Sequence, residues 1–415
     1  MLVRCPIKLT ISLIKDIIEK GSTQYFSDKG NEKMSDTDKM QTALDLIYLV
    51  SCAVNEELPD KKRISETDLS DVLKMAQKHA LSAIAAIALE KVIKLPDDFK
   101  EEKYKAIRRL SLLGFERERI LRSLEEQKIW YLPVKGIVLK ECYPKTAMRE
   151  MADNDILCDP NRMSDVRSIM EGFGFECKSF GKIHHDVYEK PPQLDFEMHR
   201  SLFNPVNNPG LSSYFKNIKQ KLIRDDDESF AYHMTNEDMY IYLTCHLYNH
   251  YRQKGTGLRS LLDIYVFRGR FSDSFDRQYI EEEFKKLDLD RFELAMRELA
   301  QKAFTNQPLS EEELGELSFF VDSNSHGTSE NLLMRRLGND DSSRSKAKYA
   351  LSRIFPPADY VERKHPFVHR HKAVYPFWVI FRPIKAAVKY PKRMSGELKR
   401  LKNFKKKENT GQLNK

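Results

Sequence analysis

The sequence lacks any apolar run long enough to cross a bilayer, since no window of its 415 residues approaches the ~18 consecutive apolar residues that a spanning helix needs. It also lacks paired cysteines. The six cysteines are scattered without a Cys-x-x-Cys pair, which argues against a cysteine zinc site and against a disulfide framework. Charged residues interrupt the apolar N-terminus and no small-residue cleavage site follows, so we expect no secretory signal. These absences predict a soluble, cytoplasmic protein.

Negative charge is nearly absent from the segment 381–407, whose charge of +10 exceeds the net charge of +8 of the whole chain. Between Phe381 and Lys407, eleven lysines and arginines stand against one acid, Glu397, so the rest of the chain is close to neutral. Aromatic residues lie just before or at the start of this basic segment: Tyr375, Phe377, Trp378 and Phe381. The pattern is typical of contact with an anionic membrane or with nucleic acid. The alternative, that the aromatics close a helical core and the lysines are solvated, stays open.

The length predicts two or three structural units. From Thr42 to about Gln127 apolar residues recur at helical spacing, and the Ala-rich stretch Ala80–Val92 indicates a buried helix. Met34 is an alternative natural start. We predict five segments: a disordered or loosely held leader (1–39), a helical N-terminal unit (40–128), an α/β core (129–205), a helical C-terminal domain (206–375) and an aromatic-basic helical tail (376–415).

The spacing of apolar residues changes inside the predicted core. Short apolar runs there indicate five strands, at Trp130–Val134, Asp155–Cys158, Phe175–Ser179, His185–Glu189 and Leu194–His199. Helical segments are predicted between and after them, at Ile137–Tyr143, Pro160–Gly172, Ser212–Ile223, Glu237–His250, Leu258–Phe267, Tyr279–Lys286, Phe292–Thr305 and Glu311–Phe320. The predicted fold class is therefore α+β: a small mixed sheet with helices, flanked by all-helical N- and C-terminal parts.

Two acids, Asp153 and Asp155, stand at i and i+2 at the mouth of a predicted strand, which puts both on one face. A folded protein tolerates such a pair mainly where water or a cation offsets the repulsion. Glu197, on another predicted strand, is the expected third carboxylate, and Asp195 is the alternative. Carboxylates of this kind bind Mg²⁺ together with substrate phosphates.

The order of these motifs resembles a known family. The chain has Lys135-Gly136, then Tyr143-Pro144, Arg149, Asp153-Asn154-Asp155, and later Glu197-x-His199. This order closely resembles the uncharacterised nucleotidyltransferase family of the polymerase-beta-like superfamily, strongly over about 132–202. Further positions agree more loosely: His246, Arg259, Asp263 and Phe355-Pro356. The broader superfamily usually has Gly-Ser or Gly-Gly, whereas Ile137 follows Gly136 here.

The resemblance implies a polymerase-beta-like core and transfer of a nucleoside monophosphate from a nucleoside triphosphate to an acceptor, which is a protein, RNA, sugar phosphate or small molecule. It implies that Asp153, Asp155 and Glu197 are catalytic and bind Mg²⁺ or Mn²⁺. The implied substrate-binding residues are Lys135, Gly136, Arg149, His199 and Arg259. Gly136 is expected to let backbone amides approach the triphosphate, and the cations to neutralise phosphate charge.

Other interpretations stay open at this point. The fold also hosts non-catalytic interaction proteins, such as antitoxin-like partners, and sugar-phosphate nucleotidyltransferases of polysaccharide synthesis. His199 either orients Glu197 and touches substrate or is structural. His246 and His250, at i and i+4, more simply pack than bind zinc, and Arg259 with Asp263 most simply form a helix ion pair. We assign no chemistry to His184-His185-Asp186.

Overall fold

The computed structural model describes residues 35–323, 361 and 365–389. Residues 35–323 belong to one compact unit, and the described C-terminal stretch belongs to another. Several predictions lie outside the described residues: the leader up to Met34, Phe355-Pro356 and the basic residues beyond 389. Within the described part of the chain, no helix combines the length and apolarity that a bilayer crossing requires.

The first unit is mostly helical. Its helices are α1 (Asp36–Val54), α2 (Lys61–Glu66), α3 (Leu69–His79), α4 (Ser82–Leu89), α5 (Asp97–Glu126), α6 (Gly136–Leu139), α7 (Met163–Gly172), α8 (Pro209–Tyr214), α9 (Asn236–Gln253), α10 (Leu258–Phe271), α11 (Arg277–Leu287), α12 (Asp290–Phe304) and α13 (Glu311–Asp322). Several begin at a side chain that accepts a hydrogen bond from the first turn, as Asp68 does for α3 and Ser310 does for α13. Such caps satisfy amides that a helix leaves without partners.

Helix α4 confirms the predicted buried helix, since all eight of its residues are buried. The predicted helix over 212–223 is wrong in extent. Helix α8 ends at Tyr214, and a 3-10 turn over Ile218–Lys221 follows. The apolar residues Leu211, Phe215 and Ile218 still reach the core, so a broken helix produced the same spacing as a continuous one.

A five-stranded sheet lies in the middle of this unit. Its strands are β1 (Tyr131–Val134), β2 (Asp153–Cys158), β3 (Glu176–Ser179), β4 (His185–Lys190) and β5 (Leu194–His199). Their order across the sheet is β1-β2-β5-β4-β3. Only the β2–β5 pair is parallel within this sheet; its other three pairs are antiparallel. The predicted α+β class with a small mixed sheet and flanking helices is confirmed. A short hairpin was not predicted; its strands, β6 (Ile223–Arg224) and β7 (Tyr232–His233), have two residues each.

Each face of the sheet meets a different core. On one face, Ile156, Phe196 and Met198 are fully buried in a cluster shared with helices α5 and α7. The larger cluster is formed mainly by helices that precede the sheet in the chain (α1–α5) and helices that follow it (α8–α13). Because side chains alternate along a strand, the acids of β2 and β5 project from the face opposite Phe196. The buried opposite face of the sheet therefore fixes the positions of these acids.

Among the described residues of the second unit are two helices, α14 (Pro366–Arg370) and α15 (Tyr375–Lys389). Helix α15 carries the predicted aromatic residues and includes Pro383. Phe377 and Phe381 are exposed, and the Arg382 guanidinium lies 5.0 Å from the centre of the Trp378 ring.

Candidate active site

The parallel pairing of β2 with β5 brings the predicted acids together. Asp155 lies directly opposite Glu197, and Asp153 lies opposite Asp195. Asp153 and Asp155 are two residues apart on one strand and share a face. The carboxylates of Asp155 and Glu197 and a ring nitrogen of His199 have ligand atoms within 4.8 Å of one another. Two neighbouring strands thus present one acidic cluster.

Asp155 is the most strongly held of these acids. Its Oδ1 accepts hydrogen bonds from Lys135 Nζ at 2.5 Å and from His199 Nε2 at 2.8 Å. Burial by itself raises the pKa of Asp155, but Lys135 and His199 more than offset this and lower it below its ordinary value. Burial lowers the pKa of Lys135, but the negative charges of Asp155, Glu197 and Asp153, with Tyr242 nearby, together raise it above its ordinary value. Both groups are therefore charged at neutral pH.

Asp153 has the opposite shift. Burial and the negative charge of Asp155 raise the pKa of Asp153 to about 6. Glu197 resembles Asp155: burial raises its pKa, but the hydrogen bond from His199 and the positive charge of Lys135 together lower it below the ordinary value. His199 is itself buried and lies 2.8 Å from Asp155 and 3.4 Å from Glu197. It holds the two carboxylates in place, as a positioning residue does.

A cavity of about 350 Å³ opens beside the acids, within the range of small-ligand pockets. The sheet, the 136–152 segment and helices α9 and α10 form its walls. Its charged lining residues are four carboxylates (Asp153, Asp155, Glu197, Asp263) and three cations (Lys135, Arg149, Arg259). With all groups ionised, the lining carries a small negative excess.

Arg149 is bound by a partner that the sequence did not suggest. Its Nε and Nη2 donate to the two carboxylate oxygens of Asp263, each at 2.8 Å, and Tyr143 Oη donates to Asp263 at 2.8 Å. The expected helix ion pair between Arg259 and Asp263 is wrong, because a forked guanidinium from another element already occupies both oxygens. Arg149 therefore has a structural partner, and its contact with phosphate stays a prediction.

Gly136 packs directly against Arg149. A Cβ placed on Gly136 would lie 2.5 Å from Arg149 Nη1 and 2.6 Å from Met151 Sδ. The absence of a side chain is thus required by this packing, in addition to the predicted approach of a triphosphate. The preceding residue, Lys135, has a φ of 52°, a conformation that costs a residue other than glycine ~1–3 kcal/mol. Such strain is typical of functional positions.

Arg259 reaches the cavity from α10. Its Nη1 donates to the carbonyl of Glu150 at 3.0 Å, and among the described residues no carboxylate lies within salt-bridge distance of it. Burial and the nearby Arg149 lower the pKa of Arg259 below its ordinary value. The Glu150 carboxylate, in turn, accepts a hydrogen bond from the backbone of Ala83 at 2.9 Å. Arg259 is the cation of this cavity best placed to meet an anionic ligand.

Asp195, the alternative third carboxylate, forms an ion pair outside the cavity. Its Oδ2 lies 3.2 Å from Arg109 Nη2 on α5, and it does not line the cavity. Glu197 lines the cavity. The structure thus brings together Asp153, Asp155, Glu197, Lys135, Gly136, Arg149 and Arg259 as lining residues, with His199 buried behind them.

Two histidines of the cavity, His184 and His185, were given no chemistry by the sequence interpretation. His184 and His185 line the cavity, and so do His246 and His250, whose Nε2 atoms are 3.1 Å apart. Burial and neighbouring histidines lower the pKa of His184 to about 3. The available signal was the run His184-His185 at the start of a strand that ends up beside His199. Without knowledge of the strand order, this run could not be placed next to His199.

Comparison with protein families gives one match. The model of the family described as "Uncharacterised nucleotidyltransferase" matches residues 65–305, more than half of the chain. The chain belongs to this nucleotidyltransferase family. No curated protein and no solved structure matches it.

Proposed function

We propose that the protein transfers a nucleoside monophosphate from a nucleoside triphosphate to an acceptor, in the cavity beside Asp155. The observation that carries the proposal is the cross-strand pair of Asp155 and Glu197, with Asp153 beside it, at the floor of a cavity lined by Lys135 and Arg259. Family membership supports the same reaction class.

The donor set fits Mg²⁺ or Mn²⁺. Carboxylate oxygens are the ligands that these hard cations prefer, and Asp153, Asp155 and Glu197 supply them. The raised pKa of Asp153 reflects burial and uncompensated negative charge, which a bound dication relieves. When bound, the metal would supply charge neutralisation and activation of the attacking oxygen.

The remaining steps fall to side chains of this chain. Lys135 and Arg259 would bind phosphate oxygens, because both are cationic and line the cavity. The acceptor oxygen forms a bond to the α-phosphorus as the bond to the β-phosphate oxygen breaks, releasing pyrophosphate. The acceptor proton passes to Glu197, whose lowered pKa keeps it ionised and whose side chain is 26% exposed. His199 and Lys135 would hold Asp155 fixed throughout.

Label transfer from α-³²P-labelled triphosphates tests the proposal. Each of the four nucleotides is incubated with Mg²⁺ and acceptor fractions, with wild-type protein, Asp155→Asn and the matched control Asp159→Asn. Asp159 follows the same strand but caps an exposed turn outside the cavity. We expect Asp155→Asn to lose at least about 100-fold in rate and the control to keep its rate within about threefold. Equal transfer by both variants contradicts the assignment. Absence of any triphosphate-dependent product, with a stable complex to another protein, favours the non-catalytic alternative.

A further inference from the structure

Three histidines meet at one end of the β4–β5 pair. His185 and His199 are directly opposite each other in the antiparallel register, and His184 precedes β4. The ring centres are 4.4 Å apart for His184–His185, 5.0 Å for His185–His199 and 5.4 Å for His184–His199. Each ring offers one nitrogen, and the three nitrogens lie within 4.8 Å of one another. Cross-strand pairing therefore creates a compact cluster of nitrogen donors.

The ring nitrogens of this cluster are poorly satisfied by the protein. Nδ1 of His184 and Nδ1 of His199 are buried and have no hydrogen-bond partner among the described residues. Nδ1 of His185 is 3.5 Å from Glu197 Oε2. A buried polar atom without a partner costs ~1–3 kcal/mol, so several in one place indicate a site built for a ligand.

The second nitrogen of His199 gives an independent indication. Its Nε2 is hydrogen-bonded to Asp155 at 2.8 Å. A carboxylate on one ring nitrogen is the arrangement that orients an imidazole whose other nitrogen binds a metal. Glu197 lies beside both His185 and His199 and provides an oxygen at the same place.

We propose that His184, His185 and His199 bind a divalent transition-metal ion such as Zn²⁺ through their ring nitrogens, beside the carboxylates of Asp153 and Asp155 that suit Mg²⁺. Imidazole nitrogens select zinc, copper, iron or nickel, whereas Mg²⁺ prefers oxygen. Two ligands of one tetrahedral zinc ion, each ~2.0–2.1 Å from the metal, lie about 3.4 Å apart. Binding would therefore require the partly exposed His184 and His185 rings to rotate, so that the three nitrogens, now within 4.8 Å of one another, come closer. The inference does not depend on nucleotidyl transfer.

Metal binding to the full chain, with any affinity tag removed, tests the proposal. Protein stripped with a chelator is titrated with Co²⁺, whose visible absorption is intense when the ion is four-coordinate and weak when it is six-coordinate. Zn²⁺ affinity is measured by competition with a chromophoric chelator. We expect one Zn²⁺ per chain. His184→Gln should weaken it by more than about 100-fold, because loss of a group that merely orients a ligand costs 10–100-fold.

Two further variants separate the possible outcomes. His233→Gln alters an exposed histidine paired with Asp225 and should leave Zn²⁺ affinity unchanged. Asp153→Asn should change it by only a few fold, since Asp153 is outside the histidine cluster. A dissociation constant above about 100 µM for wild type, or equal affinity in wild type and His184→Gln, overturns the proposal. Loss of Zn²⁺ binding in Asp153→Asn but not in His184→Gln also overturns it and assigns the ion to the carboxylates.

Discussion

Removing the carboxylate of Asp263 should destabilise the protein far more than removing a surface ion pair. Asp263 accepts two hydrogen bonds from Arg149 and one from Tyr143, all at 2.8 Å. Arg149 is 7% exposed and Asp263 8% exposed. In Asp263→Leu the Arg149 guanidinium stays buried without its counter-charge, because Gly136 and Met151 pack against it.

The expected loss in the free energy of unfolding is ~3–5 kcal/mol, the usual cost of breaking a buried ion pair by removing one partner. The double variant Arg149→Met/Asp263→Leu removes the uncompensated charge together with its partner. It should therefore lose less than Asp263→Leu alone, although each substitution by itself is destabilising. The control is Glu171→Gln, which breaks the exposed pair with Arg167 on α7 and should cost below ~1 kcal/mol.

Urea unfolding followed by circular dichroism measures these differences, with equal slopes required before free energies are compared. A loss in Asp263→Leu no larger than that of Glu171→Gln would refute the reasoning, since it would mean that the guanidinium reaches water. Strict additivity in the double variant would likewise show that the two side chains do not interact.

Three other predictions follow from the site. Gly136→Ala should lower the free energy of unfolding in urea by ~1–3 kcal/mol, because the new Cβ would contact Arg149 and Met151. Gly114→Ala in α5, where the nearest contact of a new Cβ is at 3.7 Å, should be neutral or stabilising, and equal effects of the two variants would contradict the packing argument. Arg259→Met should weaken triphosphate binding, measured by calorimetry in the presence of Mg²⁺, about 10–100-fold. Arg252→Met, which changes an exposed arginine, is the control and should bind as the wild type does; unchanged affinity in Arg259→Met would exclude a phosphate contact. The pKa of Asp153 is raised to about 6, so its ionisation opposes folding above that pH, and Asp153→Asn in chelator-containing buffer should stabilise the protein at pH 7–8 by on the order of 1–3 kcal/mol. Below the unfolded pKa of 3.8, residue 153 is neutral in both proteins and the gain should vanish. A gain that does not depend on pH would disprove this cause.

Local pattern was enough to predict the elements of the core. The predicted strand Leu194–His199 matches β5, and His185–Glu189 differs from β4 by one residue at its end. Alternation also put Asp153 and Asp155 on one face, which the strand confirms. These predictions succeeded because period-two and helical spacings are local properties of the chain.

Long-range pairings were beyond the same reasoning. Asp263 is 114 residues from Arg149, and the i, i+4 spacing on α10 pointed instead to Arg259. Likewise, His185 meets His199 only because β4 and β5 pair in one particular register. Charge and spacing alone cannot rank such partners, since a surface pair and a buried one look alike in sequence.

Glu150 ties together pieces of the chain that lie far apart in order. Its carboxylate binds the Ala83 amide at the start of the fully buried helix α4, and its carbonyl binds Arg259 of α10. A shortened protein beginning at the first strand would lose the first of these anchors and expose the apolar surface that α4 covers. A fragment that keeps this site intact therefore has to include the helices that precede the first strand.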